Sequence, residues 1–149
     1  MLVRAFRHPL HPLLVHFPVA FWTGAVVLDL FGLATGRGWV WKLSFGCHAA
    51  GVATAGVAML AGFLDLRSLA QGDPARDTAA SHMLAMSTAW LLFLTVVALR
   101  AASPASVPSS WAIVGAVAAF LVMVFGSWLG GQLVYRFGVG VCRNEVRGN

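Results

Sequence analysis

Histidine is concentrated at the start of the chain. The segment HPLHPLLVHFPVAF, residues 8–21, contains three of the five histidines and leads directly into a long apolar run. A fourth histidine, His82, lies in the segment SHMLAM, residues 81–86. Neutral imidazole nitrogens bind haem iron and transition-metal ions, and imidazole exchanges protons close to neutral pH. The histidines therefore indicate cofactor binding, metal binding or proton chemistry.

His16 and His82 are the candidate axial ligands of a haem. If the helices alternate in direction, each of these residues lies about one turn inside the same end of the bundle. Two imidazoles from facing helices can hold haem iron in a four-helix bundle, and the small residues Gly51, Ala55 and Ala58 would leave room for a flat macrocycle. The first hypothesis is a small membrane b-type cytochrome-like protein that binds haem b for electron transfer. Covalent attachment is not expected, because the chain has no C-x-x-C-H motif.

Metal-ion binding or proton handling is the second hypothesis. Nitrogen and oxygen ligands for a transition-metal ion occur near the same end of the bundle: His8, His11, His16, Asp65 and His82.

In a third hypothesis the chain is a structural accessory subunit of a redox complex, and its histidines only form hydrogen bonds. We expect at most electron transfer and no hydrolase chemistry, because Ser81 and His82 are helix neighbours whose side chains point about 100° apart.

Four further polar residues are expected inside the bundle. Gln132 and Tyr135 close the last apolar run and should reach the level of the histidines near the chain start. Asp29 and His48 lie nearer the opposite end, at comparable depths, and are expected to form a separate buried pair. Ionisable groups within a membrane usually face the bundle interior and mark function.

The composition determines which elements must position these residues. Hydrophobic residues make up 59% of the 149 residues, charged residues only 10%, and the mean hydropathy is +0.81, whereas soluble domains carry roughly 25% charged residues. Four apolar blocks, about 12–35, 40–64, 79–99 and 111–135, each approach the ~20 residues that cross a bilayer as a helix. The sequence predicts a single domain, residues 1–149, that is an all-α integral membrane protein with four transmembrane helices in an antiparallel bundle. The first block is too long for a signal peptide and is expected to be retained.

The second block contains a regular seam of small residues. Gly51, Ala55, Ala58 and Gly62 follow one another at spacings of three and four, between His48 and Asp65. Residues at this spacing share one face of a helix, and small residues allow helices to approach closely in lipid. This face is therefore predicted to be buried.

The net charge of +5 is explained by membrane topology rather than by nucleic-acid binding, because the basic residues are scattered singly. With four crossings both termini share one end of the bundle, which we call the A end, and the other is the B end. The A end carries Arg4, Arg7, Arg67, Arg76, Arg136, Arg143 and Arg147, and the B end carries Arg37, Lys42 and Arg100. The positive-inside rule then predicts cytoplasmic termini.

Cys47 and Cys142 fall near opposite faces of the membrane and are not expected to form a disulfide.

Three segments resemble the bacterial membrane family catalogued as domain of unknown function 2231. They are HPLLVHFPVAF (11–21), SHMLAM (81–86) and GGQLVYRFGVGV (130–141). The resemblance implies a small four-helix domain of the bacterial inner membrane, with members found beside or fused to Rieske or cytochrome c modules, and it implies no specific activity. We expect no such module in this chain. The expected partners are the lipid bilayer and either a redox protein or a second copy of the chain.

Overall fold

The computed structural model describes the backbone of residues 4–5 and 8–141, with side chains from residue 10 onward. A short antiparallel pairing joins β1 (Arg4–Ala5) to β2 (His8–Pro9). The helices that follow are α1 (Leu10–Leu14), α2 (His16–Thr35), α3 (Trp39–Arg67), α4 (Arg76–Arg100) and α5 (Ser110–Tyr135). The predictions that concern the His8 side chain, Cys142 and the terminal arginines lie outside the described side chains.

Four spans are long and apolar enough to cross a membrane, as predicted. The first consists of α1 and α2 together and runs over 26 residues, from Leu10 to Thr35, and the other three are 29, 25 and 26 residues long. The second and third spans extend by up to three residues beyond the predicted blocks, since α3 continues to Arg67 and α4 begins at Arg76. Charged residues can occupy helix ends because they lie in the interfacial region, where side chains reach water.

The first span passes from α1 to α2 at Val15, whose backbone keeps helical angles, φ −64° and ψ −20°. The Val15 N–H donates to the His11 carbonyl at 3.1 Å, and the Val15 carbonyl accepts from the Val19 N–H at 3.3 Å. Pro18 has no N–H with which to bond the Leu14 carbonyl, so the helical ladder is interrupted at this turn. As a result α1 is a separate short helix, and it packs mainly against α3.

The centre of the bundle is filled by large side chains set against small ones. The Trp22 and Phe93 rings stack with centroids 4.4 Å apart and planes 15° apart, and both side chains are fully buried. The predicted α3 seam is buried along its whole length. However, a Cβ atom at Gly51 would lie 2.5 Å from the Trp22 indole, so Trp22 occupies the space that the sequence analysis reserved for a macrocycle.

Short connections set the antiparallel order of the helices. Gly36 ends α2 in the left-handed region, with φ at 67°, where glycine carries no Cβ penalty. Ser109 caps α5, its hydroxyl accepting from the Ala112 N–H at 3.3 Å. The tight turn places α2 beside α3, and α4 packs extensively against α5. His11, Asp65 and His82 therefore lie toward the A end, while Asp29 and His48 lie toward the B end.

Candidate functional site

The A end contains a pair of imidazole rings contributed by two different spans. His11 of α1 and His82 of α4 have ring centroids 6.2 Å apart and planes 81° apart. Both side chains are half-buried. The two rings therefore lie within reach of a single shared ligand, and we call them the histidine pair.

His11 is held in place by α3. Its Nδ1 lies 2.8 Å from the Ala58 carbonyl oxygen, and a carbonyl can only accept a hydrogen bond. One turn further along α3, an added Cβ at Gly62 would lie 2.8 Å from the His11 ring. The small-residue seam of α3 thus fixes both the orientation and the tautomer of His11, with the proton on Nδ1.

His82 is held in the same way by α5. Its Nδ1 lies 2.7 Å from the Gly126 carbonyl oxygen, and a Cβ at Gly130 would lie 3.1 Å from the ring. The Nδ1 atom is therefore the protonated nitrogen here too, which leaves the lone pair on Nε2. Metal-binding histidines commonly show this arrangement, in which one nitrogen donates to a carbonyl and the other binds the metal.

His16 does not share this environment. Its side chain is exposed, and its Nδ1 lies 3.4 Å from the Leu13 carbonyl oxygen, within its own turn of the chain. In the structure the ring that lies beside His82 is that of His11 rather than that of His16. The physical reason is rotational: five helical residues turn the chain by about 500°, so His11 and His16 point about 140° apart.

The other residues predicted for this layer are distributed differently. Asp65 is buried near the end of α3, one turn beyond Gly62. Gln132 is half-buried, and its backbone carbonyl accepts from the Arg136 N–H at 2.9 Å. Tyr135 is 92% exposed and so does not join the layer. Among the side chains of residues 10–141, no group of three or more His, Cys, Asp or Glu residues is arranged to hold a metal ion.

A second polar cluster is buried toward the B end. The predicted pair is present, with His48 Nε2 lying 2.9 Å from Asp29 Oδ2. Arg100 donates to both Asp29 oxygens, at 3.0 and 3.1 Å, and Ser44 donates to Asp29 Oδ1. All four side chains are at most 5% exposed. We call these residues the Asp29 cluster.

Arg100 connects three helices through this cluster. Besides Asp29 of α2 it donates to the Ser44 hydroxyl and to the Trp41 carbonyl of α3, both at 3.1 Å. The guanidinium compensates the charge of the Asp29 carboxylate, and His48 Nε2 lies within hydrogen-bond distance of the same carboxylate. Because these contacts join α2, α3 and α4 around one buried carboxylate, the cluster holds the three helices together.

Ser44 and Arg100 were not among the site residues predicted from the sequence. Ser44 could have been found, because it lies four residues before His48 and therefore on the same helix face. In the sequence, Arg100 contributed only to the count of basic residues that predicts the orientation in the membrane. Its depth became clear only from the packing of α4, which carries the guanidinium inward over Asp29.

Comparison with known proteins identifies a family. The sequence model of a family described as predicted membrane protein (DUF2231) matches residues 7–143. No curated protein and no solved structure matches the chain.

Proposed function

The chain belongs to the DUF2231 family of predicted membrane proteins, and from its own residues we propose that it binds haem b between His11 and His82 and transfers electrons. Haem iron held by two imidazoles changes between the ferrous and ferric states and so carries one electron at a time. The chain's own contribution is to hold the two rings in a fixed orientation inside the membrane.

The separation of the two rings carries this proposal. A metal ion binds an imidazole nitrogen at about 2 Å, and that nitrogen lies about 1.2 Å from the ring centre, so two imidazoles that both bound one ion would have ring centres at most about 6.4 Å apart. The observed separation is 6.2 Å. Both Nδ1 atoms are already engaged by backbone carbonyls, which leaves the Nε2 atoms as the ligands.

The number of donors favours haem over a bare metal ion. The macrocycle supplies four nitrogen ligands, so haem iron needs only two from the protein, whereas most bare transition-metal ions in proteins bind four or more protein or water ligands. Within residues 10–141 the histidine pair is not joined by a third His, Cys, Asp or Glu in a metal-binding group. Two imidazoles therefore match the requirement of haem.

The filled core of the bundle limits where a haem could lie. The middle of the α3 seam is filled by Trp22, so a haem would lie at the A end rather than along the bundle axis.

The orientation of the bundle in the membrane and its electron partner are also proposed here. The charge distribution favours cytoplasmic termini in a bacterial inner membrane, which would place the histidine pair near the cytoplasmic face. The electron partner would be a redox protein that docks at this face, or a second copy of the chain. A metal-ion or proton-handling role for the same pair is the alternative that the experiment distinguishes.

The test is an absorption spectrum of protein purified in detergent from haem-supplied cells, recorded before and after dithionite reduction. We expect a Soret band that sharpens on reduction, and we expect its loss in His11→Ala and in His82→Ala. His16→Ala is the matched control and should retain the band, because His16 is exposed and bonded only within its own turn.

Two results would contradict the haem proposal. A colourless sample with stoichiometric copper, zinc or iron would favour a bare metal ion at the pair. A colourless and metal-free sample would leave proton handling or a structural role. Loss of the Soret band in His16→Ala but not in His11→Ala would restore the original pairing of His16 with His82.

A further inference from the structure

We propose that a groove between α2 and α3 at the B end binds one anionic phospholipid, with the phosphate at Lys42 and an acyl chain along the groove. The groove has a volume of about 500 Å³. Its lining residues are Phe21, Trp39, Lys42, Leu43, Gly46 and Cys47. The site is separate from the histidine pair, so the inference is independent of the haem proposal.

The charges at the B end favour an anionic ligand. Within the described residues, Asp29 is the only acidic side chain at this end, and it is already paired with Arg100. The two remaining cations, Arg37 and Lys42, are exposed, and neither forms an ion pair with a described residue. A lipid phosphate supplies the missing negative charge at the depth where Lys42 lies, three residues after the start of α3.

The shape of the groove suits an acyl chain. Trp39, at the first residue of α3, is 59% exposed, which is typical of tryptophan at the membrane interface. Phe21 lies 14 residues before the end of α2, which corresponds to roughly 21 Å along the helix axis. On α3 the lining ends at Cys47, eight residues after Trp39 or roughly 12 Å along the axis, so the groove extends from the interface toward the middle of a hydrocarbon core of about 30 Å.

Gly46 forms an open part of the groove wall. A Cβ atom at Gly46 would meet no other atom within 4 Å. A side chain added there would start in the open space of the groove. Gly56 offers a matched control, because its Cβ position is equally open but it faces the separate groove between α3 and α4.

The experiment is native mass spectrometry of the detergent-purified protein titrated with phosphatidylglycerol or with phosphatidylcholine of the same acyl chains. We expect one phosphatidylglycerol per chain, bound at least fivefold more tightly than phosphatidylcholine. Lys42→Gln should weaken phosphatidylglycerol binding about fivefold, the effect of one lysine near an anionic lipid surface. Lys42→Arg should retain the affinity.

The glycine variants test the position of the acyl chain. Gly46→Leu should abolish the bound lipid, whereas Gly56→Leu should leave it. Equal binding of the two lipids, an unchanged affinity in Lys42→Gln, or equal losses in the two glycine variants would each overturn the proposal. Lys42 is exposed and outside the core, so Lys42→Gln tests the charge even if a glycine variant fails to fold.

Discussion

Replacement of Arg100 by Met should strongly destabilise the bundle. The substitution keeps an unbranched apolar side chain but removes the guanidinium, which makes two hydrogen bonds to Asp29, one to Ser44 and one to the Trp41 carbonyl. Asp29 is then left as a charge that is 2% exposed and has no cation beside it.

The magnitude follows from the loss of that partner. Removal of one member of a buried ion pair costs about 3–5 kcal/mol, because the other charge remains buried and uncompensated. Ser44 and His48 still donate to Asp29, and hydrogen bonds to a charged group contribute about 1.5–3 kcal/mol each. We therefore expect the lower half of the range, a loss of about 3–4 kcal/mol in the free energy of unfolding.

The assay is reversible unfolding in mixed detergent micelles, followed by circular dichroism, on the single variants and on the double variant with Asp29→Asn. The double variant should be more stable than the sum of the two single effects predicts by at least about 2 kcal/mol, because the buried charge is removed together with its partner. Arg76→Met is the control. It removes a single half-buried hydrogen bond, to the Leu69 carbonyl at 2.8 Å, and should cost about 1.5 kcal/mol, the lower end of the range for a charged donor.

Two outcomes would refute this reasoning. If Arg100→Met were no more destabilising than Arg76→Met, the guanidinium would not be compensating a buried charge. If the effects of Arg100→Met and Asp29→Asn were simply additive, the two residues would not be energetically coupled. In either case the Asp29 cluster would not hold the three helices together.

Two further glycine substitutions test the close packing described above. Gly130→Ala places a Cβ 3.1 Å from the His82 ring and should lower haem retention in the purified protein at least severalfold. Gly131→Ala is the control, since its Cβ would lie 4.0 Å from the nearest atom. Equal haem retention in the two variants would contradict the role of Gly130. Gly51→Ala places a Cβ 2.5 Å from the buried Trp22 indole and should destabilise the bundle by about 1–3 kcal/mol. The same unfolding assay measures this change. An unchanged free energy of unfolding would show that Trp22 can be displaced at no cost.

Hydropathy and residue spacing by themselves determined the architecture of this protein. Apolar blocks of about 20 residues must form helices in lipid, because each backbone N–H and C=O has to be bonded within its own segment. The same reasoning located the buried seam of α3 from the three- and four-residue spacing of its small residues. It also predicted the contact of Asp29 with His48, since both are ionisable, lie at comparable depths, and face a high energetic cost if they are exposed to lipid.

Only the tertiary structure decided which side chains meet. A helix in lipid can present apolar residues on every side, so hydropathy does not determine its rotation about its own axis. The rotation of the first span about its own axis brings His11 rather than His16 to His82. Similarly, packing placed Trp22 over Gly51, carried Arg100 inward to Asp29 and left Tyr135 exposed. Depth along the membrane normal can be read from residue number, whereas rotation about the helix axis depends on contacts between helices.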